Sequence, residues 1–158
     1  MQLIAVLQQL KPVDGEISAL FLCSTREQSM TVEAKIKLLS KYFETIRTAS
    51  LFGGISVKRD ASDLKKEQPH IVVGTPARIF ALVQSGSLDL HDIKHLIMDD
   101  GDKMINDSGI LNTVEKIFNS TPRKKQVMIS TETISHQLRR FCEKYMHKKP
   151  LRFEFLNE

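Results

Sequence analysis

Cysteine is nearly missing from this sequence. Only Cys23 and Cys142 occur, and their spacing is not that of a metal site. Two thiols in 158 residues point to free cysteines in a reducing compartment. Long apolar runs are also missing: nothing approaches the roughly 18 apolar residues of a membrane-crossing helix, so no membrane partner is expected. The first ten residues are mildly apolar but lack a basic flank and a small-residue cleavage site, so they are not read as a signal peptide. No repeat, low-complexity tract or internal boundary interrupts the chain, and residues 1–158 are expected to form one domain. Charge of one sign does not dominate. Lys and Arg number 23 against 19 Asp and Glu, a net +4 with pI about 9.1. That balance is compatible with a polyanionic partner without demanding one.

What is present is a regular alternation of apolar runs and helical periodicities. Hydrophobic residues make up 41% of the chain, enough for a real core. The spacing of Leu3, Val6, Leu7 and Leu10 predicts a helix over 1–10, followed by a turn at Pro12, Asp14 and Gly15. Strands are expected at 17–23, 46–52, 70–74, 93–98 and 126–130, with a short last one at 151–156. Helices are expected between them. The first has Ser24 or Thr25 as cap and apolar positions at Met30, Ala34, Ile36, Leu38, Leu39 and Phe43. A basic one carries Lys58, Arg59, Lys65 and Lys66 behind Ser56, and another starts at Thr75-Pro76 and stops at Gly86. Two more cover 110–118 and 134–146, and 88–92 reads as a polar connection. Alternation of this kind indicates an α/β fold, a mostly parallel sheet with helices on both faces.

The strand around 93–98 ends abruptly in Asp99-Asp100-Gly101-Asp102. Carboxylates there have two readings: a solvated acidic turn, or a place to hold Mg²⁺ beside a nucleotide phosphate. The other strands also end in polar or glycine-rich stretches: Ser24–Arg26, Gly53-Gly54, Thr75–Arg78 and Thr131–Thr133. A doubly wound sheet brings such ends to one edge. Each has a plain structural use in a turn or a cap, and a salt bridge is the plain use of Arg78. Together they also suit a sugar–phosphate backbone. Glycines admit close approach to main-chain N–H groups, a helix start near Thr75 offers free N–H donors, and Arg26 and Arg78 can grip phosphate oxygens.

The series Ser-Thr-Arg-Glu, Gly-Gly, Thr-Pro-Ala-Arg, Asp-Asp-Gly-Asp and Thr-Glu-Thr resembles the first RecA-like domain of DEAD-box RNA helicases. The phrases PHIVVGTPARI, IKHLIMDDGDKM and RKKQVM are similar to the subfamily of mRNA splicing and export whose acidic box reads Asp-Glu-Cys-Asp. The resemblance covers nearly the whole chain. It implies RNA-backbone contacts at Thr25, Arg26, Gly53, Gly54, Thr75 and Arg78. It places Asp99 at the Mg²⁺-linked carboxylate, Asp100 at the carboxylate that activates water, and Asp102 at the end of the same box. Thr131, Glu132 and Thr133 fall on the motif that couples ATP hydrolysis to unwinding.

The departures carry their own expectations. No Gly-x-x-x-x-Gly-Lys-Ser/Thr occurs, so no loop of that type is at hand to cradle the phosphates of ATP. The chain as given starts partway along the helix that follows this loop in the family. The expected fold is therefore a RecA-like lobe lacking the N-terminal P-loop strand, without a second RecA-like domain, and with an uncovered sheet edge. Asp100 is one methylene shorter than the family's glutamate, Glu132 adds charge beside the carboxylates, and Ala77 replaces a glycine. The acidic residues then read as vestigial: a degenerate lobe, not expected to unwind RNA with ATP by itself, keeping weak, non-sequence-specific RNA-backbone affinity. Neither cofactor of the family, ATP or Mg²⁺, is expected to bind, with Asp99 the ligand if Mg²⁺ does. The alternatives are an interaction module that competes for splicing and export adaptors of the full-length helicase, or a fragment without function. The resemblance implies the nucleus, with the cytoplasm as the alternative.

Overall fold

The computed structural model describes residues 2–43 and 46–154. Its elements run α1 (Gln2–Gln9), β1 (Ala19–Cys23), α2 (Arg26–Ser40), β2 (Thr48–Leu51), α3 (Val57–Glu67) and β3 (Ile71–Gly74). They continue with α4 (Pro76–Gln84), β4 (His95–Asp99), α5 (Gly101–Ile105), α6 (Ser108–Asn119), β5 (Gln126–Ile129) and α7 (His136–Tyr145). The five strands form one sheet in the order β2-β3-β1-β4-β5, and every pairing is parallel. The expected α/β architecture is therefore what the chain adopts.

Alternation along the central strands divides the core in two. Leu20 and Leu22 of β1, Val72 of β3 and Leu96 and Met98 of β4 face one side, under α3 through α7. Ala19, Phe21 and Cys23, with Ile71, Val73 and Ile97, face the other, under α1 and α2. Strands buried on both faces are continuously apolar, and these are. On the broader side Phe118 meets Phe141 edge-on, with centroids 4.9 Å apart, which fixes α7 against α6.

Three expectations change. Of the apolar positions expected on α2, Ile36 is buried, beside Ser29, Val32 and Ser40, while Met30, Ala34, Leu38 and Leu39 are exposed, as is Phe43 beyond the helix end. Two small serines, Ser29 and Ser40, lie on the face turned to the sheet. The connection over 88–92 is polar only in part, since Leu88 and Leu90 plug into the core. No strand forms at 151–154, because no neighbour is there to bury Leu151 and Phe153, and the rest of that expected strand lies outside the described residues. One element was not anticipated: α5, a single turn that buries Met104 and Ile105 directly behind the acidic stretch. At the far end, β5 pairs only with β4, and Val127, Met128 and Ile129 stay partly exposed, a bare sheet edge among the described residues.

Candidate functional site

Because all strands are parallel, their carboxyl ends share one edge of the sheet. Ser24–Arg26, Gly53-Gly54, Thr75–Arg78, Asp99–Asp102 and Thr131–Thr133 all lie along it. The resemblance motifs are separated in sequence and gathered here by topology.

Thr25 caps α2, its Oγ1 accepting from the Gln28 N–H at 3.1 Å. Arg26 then starts the helix, exposed, with its guanidinium 4.9 Å from the centre of the Phe52 ring. It makes no ion pair among the described residues. Gly54 has φ +106, and a Cβ built there would stand 3.0 Å from Arg26 Nη1. The backbone conformation thus favours glycine, and the arginine tip lies close over it. Gly53 faces open space. Arg26 and Gly54 thus stand together beside the open Gly53, with Arg26 unpaired among the described residues.

Thr75 occupies the cap position of α4, but its hydroxyl makes no capping hydrogen bond. Arg78 is drawn inward. It pairs with Asp60 of α3 and donates from Nη2 to the Ile55 carbonyl at 2.6 Å. Its side chain is 12% exposed and that of Asp60 7%. The structure therefore separates the two arginines: Arg26 is presented, and Arg78 staples α3, α4 and the turn after Gly54.

Each acidic residue has an internal partner. Asp99 accepts from Ser130 Oγ at 2.6 Å on one oxygen and from Gln28 Nε2 at 3.1 Å on the other. Asp100 adopts a left-handed conformation, φ 56, and accepts from Lys103 Nζ at 2.7 Å. Gly101 follows because a Cβ there would collide with the Ile129 side chain. Asp102 is buried; its Oδ2 accepts from Thr133 Oγ1 at 3.1 Å, and its Oδ1 has no partner. Burial works to raise the Asp102 pKa, but hydrogen bonds led by Thr133 and Thr131 outweigh it and hold the carboxyl below the usual range. Thr131 Oγ1 donates back to the Thr133 carbonyl at 2.6 Å, closing the loop on itself. Glu132 is exposed. The repulsion expected from it is offset by Lys103, whose pKa is raised chiefly by its hydrogen bond to Asp100, then by the charges of Asp100, Glu132 and Asp102.

The sequence reading missed Gln28, Ser130, Lys103 and Asp60. Gln28 had a signal, since Thr25-x-x-Gln28 is a capping-box pattern. Its Oε1 accepts from the Ser24 N–H at 2.9 Å, one residue earlier than that pattern predicts.

Residues 1–141 match the sequence model of the DEAD/DEAH box helicase family. This chain belongs to that family. It is 41% identical over 143 residues to the human ATP-dependent RNA helicase DDX39A, covering 90% of this chain and 34% of that protein. It is 39% identical over 145 residues to the ATP-dependent RNA helicase uap56 of Schizosaccharomyces pombe, covering 90% and 33%. The chain thus spans about a third of these relatives. A DEAD box protein from the hyperthermophile Methanococcus jannaschii superposes with a TM-score of 0.81 at 29% identity, over 92% of this chain and 40% of that one. The Saccharomyces cerevisiae protein Dbp5, bound to RNA and ADP BeF3, matches in fold alone: TM-score 0.80, 18% identity, 97% and 38% covered. The RecA-like fold is shown by these likenesses together with the parallel sheet.

Within this helicase lobe the acidic stretch does not converge as a cation site. No group of three or more His, Cys, Asp and Glu among the described residues is arranged to hold a metal. Both oxygens of Asp99 are engaged by Gln28 and Ser130, Asp100 turns to Lys103, and Asp102 turns inward to Thr133. The carboxylates are thus held by hydrogen bonds within the lobe, with Asp99 the one that would face the family's Mg²⁺.

Proposed function

We propose that this chain acts as a helicase lobe that holds an RNA sugar–phosphate backbone at the strand-end edge and does not drive ATP-dependent unwinding by itself. The observation that carries the reading is the pair Arg26–Gly54: an exposed guanidinium, unpaired by any carboxylate among the described residues, beside a glycine that leaves the surface open. Arg26, Gly53, Gly54, the free hydroxyl of Thr75 and the Thr25 cap form the contact surface. Arg78 supports it through Asp60 and Ile55. Such contacts read backbone and not base. Asp99, Asp100 and Asp102, with Thr131, Glu132 and Thr133, act here as a vestigial catalytic centre, its carboxylates held largely by hydrogen bonds within the lobe. The likeness of its motifs to the splicing and export subfamily extends this reading to a nuclear role in mRNA splicing and export.

The test is fluorescence anisotropy with a labelled single-stranded oligouridylate, beside an ATPase assay with RNA and Mg²⁺. Binding on the order of 10⁻⁴ M is expected, weakened several-fold by Arg26→Ala, with no ATP turnover above buffer. RNA-stimulated turnover that disappears in Asp99→Ala would overturn the reading.

A second reading has one observation of its own. Met30 and Leu38 on α2 and Tyr42 just beyond it are 49%, 69% and 86% exposed, an apolar patch that suits competition for adaptor proteins of the full-length helicase. Pull-down of those adaptors that survives RNase and Arg26→Ala but not Leu38→Glu supports it. Pull-down abolished by RNase removes it.

A further inference from the structure

The basic excess of this chain is concentrated in one place. Residues 136–154 hold Arg139, Arg140, Lys144, Lys148, Lys149 and Arg152 against Glu143 and Glu154, an excess equal to the net +4 of the whole chain. The stretch is α7 and the segment after it. Leu138 and Phe141 turn to the core, each 4% exposed. Helical geometry therefore sends Arg139, Arg140 and Lys144 outward, and all are exposed. Lys148 and Lys149 continue the run and are exposed as well. Lys144 is taken by Glu115 at 2.9 Å and Arg152 by Glu154 at 3.1 Å. Arg139, Arg140, Lys148 and Lys149 have no ion pair among the described residues. Further along the same segment Phe153 is 78% exposed, an aromatic face open to solvent.

We propose that the outer face of α7 and the segment 148–153 form a second site for single-stranded RNA, in which Arg139, Arg140, Lys148 and Lys149 hold phosphates and Phe153 stacks on a base. Free cations and an exposed aromatic are what a single strand requires: charge to track the backbone and a ring for an unstacked base. A lipid surface is the poorer fit, since one leucine and one phenylalanine offer little area for anchoring. The site is separate from the edge contacts proposed above. Those follow β1, β2 and β3, whereas α7 follows β5, on the other side of the acidic stretch. The inference does not depend on Arg26.

The experiment titrates the whole chain with a labelled oligouridylate of roughly 20 nucleotides at several salt concentrations. The variant Arg139→Gln/Arg140→Gln/Lys148→Gln/Lys149→Gln touches only exposed side chains, and its thermal melt confirms the fold. Removing four phosphate contacts is expected to lower the slope of log K against log salt by about 3, and low-salt affinity by at least about tenfold. Phe153→Ala is expected to weaken binding by about fivefold or more with the slope unchanged. Arg26→Ala is expected to leave the part of the slope contributed by α7 intact. An unchanged slope and affinity in the quadruple variant overturn the proposal, even if Arg26→Ala weakens binding and the edge reading survives. Binding of the wild-type chain to anionic phosphatidylserine vesicles but not to oligouridylate overturns it in favour of a membrane surface.

Discussion

Gln28 Nε2 donates to Asp99 Oδ2 at 3.1 Å, while Gln28 Oε1 accepts from the Ser24 hydroxyl and N–H at 3.0 and 2.9 Å. One amide thus links the end of β1, the first turn of α2 and the acidic stretch. The edge proposed to face RNA and the carboxylates resembling the ATP site are tied by a side chain the sequence reading passed over. A hydrogen bond to a charged group contributes roughly 1.5–3 kcal/mol, less when partly solvated. Gln28→Ala is expected to destabilise by about 1 kcal/mol, read in urea melts. A double-mutant cycle with Asp99→Ala should show coupling of similar size, and additive effects would remove the link.

Arg78 and Asp60 make the sharper stability prediction. Both are largely buried, at 12% and 7% side-chain exposure. Deleting one partner leaves the other charge buried and unpaired, at a cost of about 3 kcal/mol or more. Arg78→Met or Asp60→Ala should therefore be severely destabilised. The double variant Asp60→Leu/Arg78→Met should recover much of that loss in denaturant melts. Single variants as stable as the parent would show that the pair does not form.

Two histidines set the pH dependence. Burial lowers the pKa of His70, with Arg47 acting in the same direction and Asp14 opposing. Burial also lowers that of His95, where Gln126 opposes and Lys94 adds. Both are favoured neutral in the fold and take up protons more readily when unfolded. No penalty applies above the unfolded value of about 6.5. As pH falls through that value the unfolded state gains protons first, so stability declines. Thermal melts from about pH 7.5 to about 5.5 should show Tm falling, and less steeply in His70→Gln/His95→Gln. A Tm that holds or rises would contradict the burial of these rings.

Cys23 lies at the end of β1 beside Asp99. Burial pushes its thiol up to about 12, with Asp99 and Asp100 adding to the rise against a hydrogen bond from Ser29. The thiol of Cys142 is raised too, by burial and then Glu143, but it is partly exposed. A thiol reagent near pH 8 should label Cys142 slowly and Cys23 only after unfolding. Rapid labelling of Cys23 would mean that the sheet opens at β1.

The strand ends were legible because their chemistry is local. Threonines, glycines and carboxylates interrupt apolar runs, and a parallel sheet then has one place to put them. The face of α2 was not legible. Met30, Leu38 and Phe43 offer one apolar stripe and Val32 and Ile36 another, and the serines that share the buried face with the second carry no hydrophobic signal. The partner of Arg78 was unreadable for another reason. A salt bridge was foreseeable, but Asp60 becomes its partner only when α3 and α4 pack. The same holds for Gln28 and Asp99, which meet through the neighbouring pair β1 and β4. The alternation near Leu151 and Phe153 looks like a strand, yet alternation without a neighbouring strand buries nothing.

The central claim is that RNA lies along the strand-end edge. The most direct measurement is an amide NMR titration of the isotope-labelled chain with oligouridylate. The account predicts shift changes at Thr25, Arg26, Gly53, Gly54 and Thr75 that are lost in Arg26→Ala. Unmoved amides at all five positions, with RNA added to saturation of any other site, would contradict it.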